Sequence, residues 1–222
     1  MPEKKIEELI NERAKNGIEY RATQPMEALA ADDDGRKIVK GYATTFNEEY
    51  LLYDFGDYKV YESVDPHAFD NCDMSDVIMQ YNHEGRVFAR NRNKTLSIGI
   101  DKHGLPIEAD LSGTDLGGQV YEEIRGGYTD KMSMGFRVKK DKRTVEEDRE
   151  NNVIRVHRVI TEISKLYDVS AVSIPANGGT EISARNLLDG ILEEIRKDSL
   201  EAEKRARKAR SLALYVNMIR KD

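Results

Sequence analysis

The chain holds one cysteine, Cys72, so an internal disulfide framework and a cysteine-based metal site are both excluded. Acids flank that cysteine in "DNCDM", which raises a thiol's pKa and argues against a nucleophilic role. No apolar run approaches the roughly 18 residues needed to span a bilayer. The first residues, "MPEKKIEELINERAKNG", are charged and lack the apolar core of a signal peptide. Together these absences predict a reducing cytoplasm and no membrane association. There is no excess of basic charge either. The net charge is −6, which argues against specific nucleic-acid binding by the chain as a whole. No HExxH or Cys/His cluster exists, so no metal or cofactor is expected. The nucleophile elbow GxSxG is also missing, which excludes an α/β-hydrolase arrangement.

What is present reads as short strands with few helices. Hydrophobic residues make up 39% of the 222 positions, which suits one modest core carrying polar extensions. Ile6, Leu9 and Ile10 recur at helical spacing and Gly17 offers a stop, so residues 1–17 are predicted to form a helical N-terminal arm. Strands are expected over 18–22, 36–46, 57–64, 76–83, 131–139, 153–160 and 165–177, with a hairpin over 94–112 turning at Asp101-Lys102-His103-Gly104. Asp65-Pro66 reads as the start of a short helix. Thr114 can cap a helix over 115–125 that Gly126-Gly127 ends. "DKRTVEEDRENN" (141–152) has no apolar face and predicts an exposed, mobile loop. From Thr180 the chain turns helical, and 186–222 forms a basic C-terminal arm. The predicted class is therefore mainly β with peripheral helices, an α+β arrangement built on a closed β-barrel spanning 18–185.

Three residues stand out against this frame. Asp168 is an acid inside "KLYDVSAVSI", a strand otherwise suited to burial, and a buried carboxylate opposes folding unless it is paired. His83 ends the apolar strand "VIMQYNH". Ser133 sits between two methionines in "KMSMGFRV". Each has an ordinary structural explanation: an ion-paired acid, a solvent-facing strand end, a small packing residue. Together they supply a nucleophile, a base and an acid that orients the base. They lie on three different strands, and only the fold can bring them together.

Several motifs occur in an order that resembles a known family: "GYATTFN", "VDPHAFDN", "QYNHEG", "DKHGLPIEADL", "KMSMGF" and "LYDVSAVSIPAN". Over roughly 36–187 the chain resembles the prohead maturation proteases of tailed phages, which share a fold with the herpesvirus assemblin proteases. The resemblance implies a serine endopeptidase with Ser133 as nucleophile, His83 as base and Asp168 as third member. Phage members often carry Glu at that third position, one methylene longer. Herpesvirus relatives use a second histidine there, which makes His157 the runner-up. An oxyanion hole is also required, and the turn holding Ala176, Asn177 and Gly178 is the candidate for it. The implied substrates are the major capsid protein and the scaffolding protein, cut inside an assembling prohead in the host cytoplasm, with self-cleavage, and a homodimer is compatible with the resemblance. Two other readings stay open: a non-catalytic scaffold or assembly chaperone on the same barrel, and an unrelated ligand-binding β-barrel. The basic stretch 196–210 reads as a solvated helix, a docking arm or a segment removed on maturation.

Overall fold

The computed structural model describes residues 17–29, 35–54, 56, 58–148, 150 and 153–172. These all belong to the first of two compact units, Met1–Gly179 and Thr180–Asp222. The arm expected at 1–17, apart from Gly17, the arm expected at 186–222, and the candidate oxyanion residues Ala176, Asn177 and Gly178 lie outside the described residues.

Among the described residues, ten strands form one sheet: β1 (Glu19–Ala28), β2 (Ile38–Thr45), β3 (Tyr50–Asp54), β4 (Tyr58–Val64), β5 (Ile78–Tyr81), β6 (Glu84–Arg90), β7 (Leu96–Ile98), β8 (Gly104–Asp110), β9 (Lys131–Asp148) and β10 (Val153–Val172). The main order is β3-β4-β10-β9-β1-β2-β8-β7, and β5 branches off β10 carrying β6. One α-helix, α1 (Asp115–Arg125), is described.

The closed barrel expected from the sequence is not formed. Barrel closure needs ladder hydrogen bonds between the two end strands, and among the described residues β3 and β7 pair with β4 and β8 only. The sheet branches instead, because β10 is 20 residues long. One edge of β10 runs along β9, while the other receives β4 over Ile154–Ile160 and then β5 at Asp168 and Ala171. Alternating sequence patterns determine which face each strand buries but not which edges meet.

Two local expectations also change. The segment after Asp65 is a run of turns rather than a helix. Its backbone bonds, Ala68 to Asp65, Asp70 to His67 and Cys72 to Phe69, all span three residues, and Asp65 Oδ1 accepts from the His67 N–H at 2.8 Å. Residues 141–148, expected as mobile loop, continue β9 and pair with the first half of β10. Opposite charges replace an apolar face there: Arg155 meets Asp148 at 2.7 Å and Arg158 meets Asp141 at 2.6 Å.

The core lies on one face of the central strands. Met132, Met134 and Phe136 from β9 pack with Leu166, Val169 and Ala171 from β10, all fully buried. Each of these side chains except the smaller Ala171 contributes about 1.5–3 kcal/mol relative to exposure. Helix α1 begins as predicted, with Thr114 Oγ1 accepting from the Gly117 N–H at 3.0 Å. It buries Val120, Tyr121 and Ile124 against the same core.

A buried ionic cluster ties five strands together. Glu62 on β4 has no exposed surface and accepts from Arg21 on β1 at 2.5 Å, from Arg158 on β10 at 2.7 Å and from Tyr50 on β3 at 2.5 Å. Arg158 also bonds Glu19 on β1 and Asp141 on β9. Burial alone would raise the Glu19 pKa, but hydrogen bonds and charge from Arg158 and Arg21 bring it down to about 2. The cluster anchors residues 19 and 21 on one side of β1, so the alternation of a strand turns Tyr20 to the opposite face.

Candidate active site

The face opposite the Met132/Met134/Phe136 core carries Ser133 and Gly135 from β9. By register, Ser133 lies beside Ala22 of β1 and Ser170 of β10, and Gly135 lies beside Tyr20 and Asp168. Strand alternation alone puts Ser133 on this face: its two methionine neighbours are both fully buried in the core.

His83 arrives from the turn between β5 and β6. Tyr81 pairs with Glu84, leaving Asn82 and His83 as a two-residue loop. Both have left-handed backbones, with φ of 50° and 59°. That is the pattern of a type I′ hairpin, which favours Asn-Gly. A histidine at the second position costs roughly 1 kcal/mol or more in backbone strain, a cost typical of functional sites. The Asn82 N–H donates to the Ala171 carbonyl at 2.9 Å, which docks the turn on β10. The His83 ring then lies over the serine.

Asp168 is aimed by a β-bulge. The β9–β10 register shifts between Leu166 and Asp168, which sets Asp168 opposite Gly135. A Cβ at Gly135 would sit 2.2 Å from Asp168 Oδ2 and 2.8 Å from Tyr20 Cε1. Only glycine leaves room for the carboxylate.

The three side chains meet in one hydrogen-bonded line. His83 Nε2 is 2.6 Å from Ser133 Oγ, and His83 Nδ1 is 2.5 Å from Asp168 Oδ1. The carboxylate fixes the tautomer with the proton on Nδ1. Nε2 is then free to accept the serine hydroxyl proton. The Tyr20 ring packs against the imidazole with centroids 4.3 Å apart. Ser133 has no exposed surface, and the His83 and Asp168 side chains are 6% and 7% exposed. The low local dielectric strengthens each bond in the line.

The other histidines lie elsewhere. His157 pairs by register with Thr144, on the stretch of β10 that runs beside β4. Its Nδ1 is 2.7 Å from Glu49 and its ring stacks on Tyr61 at 5.3 Å. Asp168, not His157, occupies the position on His83 Nδ1. His67 bonds Asp70, and His103 packs edge-on against Tyr42. Burial pushes the Cys72 thiol up to about 11, so little thiolate is present near neutral pH. Among the described residues no group of three His, Cys, Asp or Glu could hold a metal ion.

Three contributors to the site were not singled out from sequence: Tyr20, Gly135 and Ser170. The spacing of Ser133 with Gly135, and of Asp168 with Ser170, placed each pair on one face of a strand. That signal was available. The cross-strand register needed to read it was not.

Residues 24–192 match the family described as Caudovirus prohead serine protease, and the chain belongs to that family. The prohead protease of Enterobacteria phage HK97 is 30% identical over 163 residues, covering 71% of this chain and 64% of that protein. The chain thus spans under two thirds of that relative's length. Among solved structures, the bacteriophage T4 capsid assembly protease gp21 aligns with a TM-score of 0.39 at 10% identity, covering 70% of this chain and 96% of that one.

Proposed function

We propose that this chain is a serine endopeptidase that cuts the major capsid protein, the scaffolding protein or both inside an assembling prohead in the host cytoplasm, and that it also cleaves its own chain. The observation that carries this reading is the continuous line Asp168–His83–Ser133, with both ring nitrogens of one imidazole engaged at 2.5 and 2.6 Å. Membership of the prohead serine protease family supports a substrate within the assembling prohead.

In the proposed reaction, Ser133 Oγ attacks the scissile carbonyl carbon while its proton passes to His83 Nε2. Asp168 stabilises the resulting imidazolium through Nδ1. Backbone N–H groups of Ala176, Asn177 and Gly178 are proposed to meet the developing oxyanion. His83 then gives its proton to the leaving amine, and the C–N bond breaks. A water, deprotonated by His83, hydrolyses the acyl-enzyme and restores the serine. Because Ser133 is fully covered, a local opening precedes substrate entry.

The test is co-expression with the cognate capsid and scaffolding proteins. Wild type shortens them, and Ser133→Ala leaves them full length while shells still assemble. Normal processing by the alanine variant would overturn the reading and favour a non-catalytic assembly role.

A further inference from the structure

The line of hydrogen bonds does not end at Asp168. Ser170 lies two residues further along β10, on the same face, and by register is the cross-strand neighbour of Ser133. Its side chain has no exposed surface. Ser170 Oγ is 2.6 Å from Asp168 Oδ1, the same oxygen that accepts from His83 Nδ1. A buried hydroxyl needs a partner, and this one donates to Asp168 Oδ1.

The consequence for Asp168 is geometric. A carboxylate on a short side chain can rotate about its last bond, and rotation would carry Oδ1 away from the imidazole. Gly135, having no Cβ, leaves room for Oδ2, and Ser170 opposes the rotation by holding Oδ1 in a charge-assisted bond, the stronger kind. Ser133 and Ser170 thus lie side by side with opposite tasks: Ser133 gives its proton to the base, and Ser170 fixes the acid that orients the base. Ser170 is not a second nucleophile, because its hydroxyl faces a carboxylate rather than His83 Nε2.

We infer that Ser170 is a positioning residue for the proposed peptidase, holding Asp168 Oδ1 on His83 Nδ1 so that the imidazole keeps its reactive tautomer and orientation. This rests on the serine-peptidase reading. Loss of a hydrogen bond to a charged group translates into about a tenfold to hundredfold loss of turnover. The variant is Ser170→Ala, which removes one oxygen and little volume.

The assay follows cleavage of purified capsid protein by the full chain, with the folded fraction measured by thermal unfolding. Turnover per folded molecule should fall about tenfold to hundredfold with KM unchanged. The low-field proton NMR signal of the His83 Nδ1–H, bonded to Asp168 in wild type, should weaken or disappear. A purely structural serine would lower the unfolding temperature and leave both readouts unmoved. Turnover within twofold of wild type, a loss confined to KM, or an unchanged low-field signal would each overturn the inference. Wild type that cleaves nothing would instead sink the peptidase reading. The two failures are therefore distinguishable.

Discussion

Gly135→Ala separates the geometry of the site from the stability of the fold. The glycine's backbone is not in the left-handed region, so alanine meets no backbone strain there. The cost is steric. The new methyl would lie 2.2 Å from Asp168 Oδ2 and 2.8 Å from Tyr20 Cε1. Ordinary van der Waals separation requires the carboxylate to retreat by roughly 1 Å. A side-chain end can yield where backbone cannot, so overpacking should cost only about 1–2 kcal/mol of stability. The same displacement moves Oδ1 away from His83 Nδ1, and a misplacement of about 1 Å in a catalytic constellation lowers turnover on the order of a hundredfold. The measurement pairs initial rates of capsid-protein cleavage with thermal unfolding of the same sample. Gly113→Ala is the control, because a Cβ there meets nothing within 4 Å. A Gly135→Ala enzyme with wild-type turnover would refute the argument that the glycine exists to admit Asp168.

Asp168→Asn should leave the fold intact and reduce turnover by about a thousandfold or more, because the amide favours the wrong imidazole tautomer. His157→Ala should stay within a few fold of wild type in the same rate assay, since His157 bonds Glu49. Glu62→Gln takes away the anion that two buried arginines share, and the unfolding free energy from urea titration should drop by about 3 kcal/mol. Glu19 has its pKa lowered from 4.5 to about 2 on folding. Its stabilising effect is therefore complete above pH about 5 and is lost as the pH falls toward 2, amounting to about 3 kcal/mol. Unfolding curves at pH 6 and pH 3 should differ more for wild type than for Glu19→Gln.

Sequence patterns revealed strand positions better than strand partners. The cap at Thr114, the hairpin around Asp101 and the strand faces at Ser133 follow from local chemistry, and the structure has them. The long β9–β10 ribbon was hidden because its outer half is charged. Arg155–Asp148 and Arg158–Asp141 are cross-strand pairs that mimic a solvated loop until both strands are in view. The open, branched sheet was illegible for a related reason: β10 takes partners along its length according to tertiary packing, not its own sequence. The members of the site were legible as chemical anomalies. A lone acid in an apolar strand and a histidine just past the end of another both signal a residue kept against local preference. Their convergence was not legible, because it depends on a bulge before Asp168 and a left-handed turn at His83.

The most direct test of the central claim is covalent trapping of the nucleophile. Cleavage after Lys131 and Arg137 isolates residues 132–137, a peptide whose sole hydroxyl belongs to Ser133. A fluorophosphonate probe reacts with serines that an adjacent imidazole activates. Mass spectrometry of the labelled, digested chain should find the adduct on that peptide in wild type. It should be absent from His83→Ala, although Ser133 is still there. An adduct on any other serine, or equal labelling of Ser133 without His83, would contradict the account.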